Sequence, residues 1–332
     1  RYIKFAFLTG VTKFGKVSVF SDLNNLTDIS MDHRYISICG MTEKELLTNF
    51  KEGISELAEA NGDTEETTIA KLKARYDGYH FEENTVGIYN PFSVLNTLSR
   101  LRYKDYWFET GTPTFLVDLL KMHNYRLPDM TKERVSDDVI NSVDSLSTNP
   151  IPVIYQSGYL TIKGYDERFK KYLLGFPNKE VEEGFLNFLL PLYCSAGDRS
   201  AFMVDEFVKD VEAGHVEQFM NRLTAFFTDN NYQVAGEAEL YFQNAMYLVF
   251  KIMGFYTQVE RPTSDGRIDA IIQTPNYIYV IECKLDRTAD EAIKQIENNG
   301  YAEPFLMDKR KLYKIGVSFS SETRGVAEYK IK

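Results

Sequence analysis

The sequence predicts a multi-domain α/β protein in which a helical, winged-helix-like middle region precedes a mixed-sheet α/β domain. Three observations predict it. At 332 residues the chain is longer than one hydrophobic core commonly serves. Residues 266–285, GRIDAIIQTPNYIYVIECKL, read as strand, turn and strand between two amphipathic helical patterns. Residues 151–193 read as helix, β-hairpin and helix, the layout of a winged-helix-like module. The expected division is residues 1–30, 31–200 and 201–332, the last with linker helices ahead of a core at 236–332.

Composition narrows the function classes. Hydrophobic residues make up 44% and charged residues 26%, a soluble globular mixture. No apolar run approaches the roughly 18 residues of a membrane span, so no membrane partner is expected. The cysteines Cys39, Cys194 and Cys283 are far apart and odd in number. A disulfide framework is not expected, and a cytoplasmic setting is. The histidines have no zinc-ligand spacing, so any metal should be a hard one held by carboxylates. A net charge of −10 excludes a general nucleic-acid coat protein. Acid and base are close to balanced after Gly236, which leaves room for a local basic rim.

Taken in order, residues 2–10 form a short apolar run ending in Thr9-Gly10, expected as a buried strand of a domain that begins upstream. Residues 42–53 are helical in pattern, with Thr42 and Glu45 spaced as a capping box. A second helix is expected over 63–76, capped by one of Thr64, Thr67 or Thr68. Asp77-Gly78 and Asn90-Pro91 mark turns, with Pro91 at the first position of the next helix. Further helices follow at 114–122 and 180–193, with a hairpin turning near Glu167 between 151 and 180. Trp107 reads as a packing anchor and His80 as a hydrogen-bonded structural histidine.

The chemistry lies in residues 266–285. Side chains alternate along a strand, so Glu282 and Lys284 share a face. A four-residue loop would set Asp269 opposite Val280, and a two-residue loop at Pro275-Asn276 would set it opposite Glu282. Either register brings Asp269 to the face of Glu282 and Lys284. Burying two carboxylates and an ammonium among IIQ and IYVI would be costly without a function. Two carboxylates suit Mg²⁺ or Mn²⁺, with the carbonyl of Cys283 as a further oxygen ligand. Lys284 would orient a water and offset charge that develops on a phosphate.

This D-x₁₂-E-x-K set resembles the core signature of the PD-(D/E)xK nuclease superfamily, with Ile268-Asp269 in place of Pro-Asp. The resemblance implies a restriction-endonuclease-like mixed sheet and metal-dependent cleavage of a nucleic-acid phosphodiester, with DNA as partner. It implies a metal-binding glutamate on the preceding helix, GEAELYFQNAMYLVFKIMGF, where Glu239 is the candidate and Glu237 the alternative. Downstream, Thr288-x-x-Glu291 caps a helix whose Gln295 is similar in placement to the accessory motif of the Holliday-junction-resolvase-like branch. Upstream, LTGVTKFGKVSVFSDLNNLTDIS, YDGYHF, IYNPFSVLN, YWFETGTPTFLV and YQSGYLTI resemble bacterial AAA-ATPase-like proteins that carry this nuclease domain. That second resemblance implies that residues 1–30 are the end of an ATPase-like domain through which the protein could oligomerise.

Gly10 to Val17 nearly matches a P-loop but fails at its last position, where Val17 lacks the hydroxyl that Mg²⁺ requires. The resemblance places the P-loop upstream of Arg1, so ATP is expected only in a longer chain, and this chain is not expected to hydrolyse it alone. Thr9 is the residue that would touch such a nucleotide. Lys309, Arg310, Lys311 and Lys314 form a basic run that reads as a solvated loop or as a phosphate contact. Rival readings are a catalytically silent DNA-binding module and an ATP-driven regulatory or defence switch.

Overall fold

The computed structural model describes residues 4–10, 27–110, 114–140, 149–193, 200–227, 238–260 and 270–332. The chain divides into two compact units, residues 1–185 and 186–332. The P-loop-like segment 11–26, and with it Val17, lies outside the described residues.

The buried strand expected at the start of the first unit is not formed by its described residues. Residues 4–10 are exposed and form no strand. A strand needs a neighbour for its backbone N–H and C=O groups, and among the described residues none pairs with this run. The expected capping box is present. After β1 (Met41–Thr42), the Thr42 hydroxyl accepts from the Glu45 amide at 3.2 Å, and the Glu45 carboxylate accepts from the Thr42 amide at 2.8 Å. They start α1 (Glu43–Asn49), and Phe50 separates it from α2 (Lys51–Asn61). Gly53 therefore lies inside a helix, where a Cβ would meet Leu98 at ordinary contact distance.

The next helices are α3 (Glu65–Tyr76), capped by Thr64, and α4 (Pro91–Arg100), capped by Asn90 with proline in its first turn. Between them β2 (Ile88–Tyr89) pairs with β1. Leu46, Leu57, Leu72, Tyr76, Tyr89 and Val94 form the core of these elements. Then α5 (Thr114–Met122), β3 (Arg134–Val135), α6 (Asp137–Ile140) and α7 (Ile151–Gln156) lead to the hairpin β4 (Thr161–Asp166) and β5 (Lys171–Gly175). The hairpin turns at 167–170, and β3 adds a third strand in the order β3-β5-β4. Helix α8 (Lys179–Leu189) follows. Trp107 anchors this region as expected, its ring centroid 4.8 Å from that of Tyr159. His80 is structural, with Nδ1 3.0 Å from the Thr85 carbonyl oxygen.

The second unit is built on a five-stranded mixed sheet. Helices α9 (Ser200–Ala213), α10 (Val216–Phe227) and α11 (Ala238–Met253) precede β6 (Gln258–Glu260), β7 (Ala270–Gln273) and β8 (Tyr277–Leu285). Then come α12 (Ala289–Asn298), β9 (Lys311–Ser320) and β10 (Gly325–Ile331). The strand order is β10-β9-β8-β7-β6; only β8 and β9 are parallel.

Central β8 is buried on both faces, which explains its continuous apolar run. On one face Val280 packs with Ile293 and Ile296 of α12. On the other, Phe319 of β9 meets Phe227 and Phe242 at centroid distances of 4.9 and 4.6 Å, and the Tyr279 hydroxyl donates to the Val211 carbonyl at 2.7 Å. The helices expected as linkers are thus one cover of the sheet.

Candidate active site

The hairpin β7–β8 sets the register of the site. Ala270 pairs with Ile281 and Gln273 with Ile278. Thr274 closes the turn: its amide donates to the Tyr277 carbonyl at 2.9 Å, and its hydroxyl accepts from the Tyr277 amide at 3.0 Å. The two-residue turn at Pro275-Asn276 is therefore adopted, and the four-residue alternative is not. Arg310 holds this turn from outside it. Its guanidinium donates to the Thr274 carbonyl at 3.2 Å and to the Gln273 side chain at 2.9 Å, and it forms a fork with Asp308. Within the basic run, Arg310 is thus a structural clamp, and the ammonium of Lys311 stacks over Tyr313 at 4.6 Å.

Glu282 and Lys284 occupy the face of β8 covered by α12. Glu282 is 3% exposed, and its Oε1 accepts from Lys284 Nζ at 2.8 Å. The Lys284 side chain keeps 18% of its surface exposed, so the pair has one end toward solvent. A charge-assisted bond of this kind offsets part of the cost of burying the carboxylate.

The close approach of α12 depends on Gly316, the β9 partner of Glu282. A Cβ there would lie 2.4 Å from the Ala289 carbonyl oxygen. Ser318, the partner of Lys284, donates to the Arg287 carbonyl. From β10, Glu328 accepts from the Ala289 amide at 2.7 Å, and the Thr288/Glu291 capping box starts the helix as expected. Sequence reading missed Gly316, Ser318 and Glu328; a glycine inside the strand pattern KIGVSF was the available signal.

The other candidates are distributed as follows. Asp269 and Glu237 lie outside the described residues. Gln295 is half-buried on α12, the helix covering the Glu282 face. Cys283 alternates to the opposite face, leaving only its carbonyl as a ligand toward Glu282. Glu239 is exposed in the first turn of α11 and accepts from Gln243 at 3.1 Å. Through Phe242, α11 packs on the sheet face opposite Glu282. Among the described residues no group of three or more His, Cys, Asp or Glu is gathered for a metal.

A mixed sheet covered by helices on both faces, with a Glu-x-Lys pair on its central strand, matches the architecture of a nuclease-superfamily α/β domain. The comparison with known families agrees: residues 237–329 match the PD-(D/E)XK nuclease superfamily, and the chain carries a domain of that superfamily there. Over its whole length the chain is similar to the uncharacterized protein in the vnfD 5' region of Azotobacter chroococcum mcd 1, 32% identical over 342 aligned positions. The chain spans 64% of that relative's length, less than two thirds. No solved structure matches. No helix among the described residues is long and apolar enough to cross a membrane.

Proposed function

We propose that this chain is a divalent-metal-dependent nuclease acting on DNA, with Asp269, Glu282 and Lys284 as its reactive set. The observation that carries the reading is the buried Glu282–Lys284 pair, 2.8 Å apart on the central strand of the superfamily domain. Extending the β7–β8 register by one residue would set Asp269 opposite Glu282. The donor chemistry fits a hard cation: carboxylate oxygens and the Cys283 carbonyl, with the nearest thiol on the other face. Mg²⁺ or Mn²⁺, when bound, would lower the pKa of water and offset phosphate charge. Asp269 and Glu282 would hold it, while Glu239, exposed on a helix against the opposite sheet face, is left out of the ligand set.

Lys284 has the remaining work. Its ammonium, held by Glu282 at rest, would donate to the attacking water or to a non-bridging phosphate oxygen as negative charge builds. Gln295 would add a neutral hydrogen bond to the same oxygen atoms. Coupling to a nucleotide-binding module, and oligomerisation through it, would regulate this activity rather than perform it.

The test is cleavage of linear duplex, single strand, flap and four-way junction with Mg²⁺ or Mn²⁺, by wild type, Asp269→Ala and Lys284→Ala. Metal-dependent cutting by wild type that both variants lose supports the reading. A folded wild type that binds DNA without cutting it supports the silent binding module instead.

A further inference from the structure

The first unit has a feature that the nuclease chemistry leaves unused. The β4–β5 hairpin turns through Glu167, Arg168, Phe169 and Lys170, and residues 167–171 are all exposed. Phe169 shows 59% of its surface at this tip, and the guanidinium of Arg168 lies over its ring at 5.1 Å. Lys170 holds a left-handed backbone at φ 51°, a conformation uncommon for a residue with a side chain. Lys171 opens β5 beside it.

The turn is well built. Asp166 accepts from the Phe169 amide at 3.1 Å and pairs with Arg134 of β3 at 3.3 Å. Asp166 is thereby engaged with Arg134, while Arg168, Lys170 and Lys171 stand with a single acid, Glu167, in the exposed stretch. The hairpin end of this three-stranded sheet presents three cations and an aromatic ring.

We infer that this hairpin tip is a second nucleic-acid contact: Arg168, Lys170 and Lys171 bind phosphates, and Phe169 stacks on an unpaired base. The inference rests on the nuclease reading for its choice of polyanion. The chemistry of the tip fits that partner. Cations spaced along a ribbon match a phosphate backbone, and every base offers a π-face to an exposed ring. The Arg168 guanidinium lies over the Phe169 ring while 59% of the residue's surface stays exposed for a base.

The test uses the full chain with EDTA present and a labelled 20-nucleotide single strand or duplex, followed by fluorescence anisotropy across a salt series. In the triple variant Arg168→Ala, Lys170→Ala, Lys171→Ala, the slope of log affinity against log salt on the single strand is expected to fall by about two. Phe169→Ala is expected to weaken single-strand binding by about tenfold and duplex binding by less. Unchanged slope and affinity in both variants, with wild type binding and cutting normally, would overturn the tip contact and leave the nuclease reading intact. A wild type that neither binds nor cuts would overturn both. Loss of binding to anionic vesicles in the triple variant, with nucleic-acid binding unchanged, would assign the tip to a lipid surface and overturn the inference as well.

Discussion

Each unit buries a glutamate, and the two are treated oppositely. Glu282 shares a strand face with a lysine whose side chain reaches toward solvent. Glu180, fully buried in the first unit, is held by neutral donors: the Ser93 hydroxyl at 2.8 Å and the Trp107 amide at 3.0 Å. Nearby, Arg75 pairs with Asp105 at 2.5 Å and Glu183 at 3.1 Å, so acids outnumber the single cation. Burial pushes the Glu180 carboxyl up to about 7 despite the two hydrogen bonds. Burial alone therefore does not mark a catalytic acid. The charged partner of Glu282, with its access to solvent, is what the proposed chemistry uses, whereas the neutral partners of Glu180 join α4, the Tyr106–Thr110 turn and α8.

The largest expected effect tests the charged side of this contrast. Lys284→Ala should reduce cleavage by about 10²–10³-fold while circular dichroism stays unchanged. Retained activity would remove Lys284 from the chemistry.

The next effect tests the neutral side. A raised carboxyl pKa contributes stability that is fully present below its unfolded value and lost as pH rises through the folded one. Between pH 4.5 and 8 the first unit should lose stability on the order of 3 kcal/mol from Glu180. Glu180→Gln should flatten that dependence. Trp107 is the only tryptophan and donates its amide to this carboxylate, so urea unfolding followed by its fluorescence reads the region directly. Equal pH slopes in the two proteins would discard the account.

Gly316→Ala should cost about 1–3 kcal/mol, because its methyl group meets backbone rather than a side chain that could turn away. A midpoint of the second unit's urea transition that does not move would show that α12 has slack over Glu282. The smallest effect is Thr288→Ala, which removes a cap worth about 1 kcal/mol. Amide exchange in α12 should accelerate while exchange in β7 and β8 stays unchanged.

What the sequence made legible was local. Thr42 with Glu45, Thr288 with Glu291, Pro91 after Asn90, and the span of β8 are each decided within a few residues, and each is found where its chemistry directs. The face shared by Glu282 and Lys284 was equally legible, since it needs only strand alternation. What was not legible depends on partners distant in sequence. The turn register is fixed in part by Arg310, which lies 36 residues from Thr274. The glycine at 316 matters only because α12 crosses it. The run at 4–10 carries strand-like residues, but a strand is a property of a pair, and among the described residues none pairs with it.

The mixed order of the sheet also gives the site a history. β7 and β8 are joined by three residues, Thr274, Pro275 and Asn276, so their ladder closes a very short loop. β8 and β9 are parallel and joined through α12, so their ladder waits on a crossover. Loop closure makes the first pairing early and the second late. Glu282 should then still be wet when the β7–β8 ladder forms, and the strand and helix that dry it, β9 and α12, should arrive afterwards. Pulse-labelled hydrogen exchange during refolding should find the amides of Ile272 and Ile281 protected before those of Ile315 and Val317.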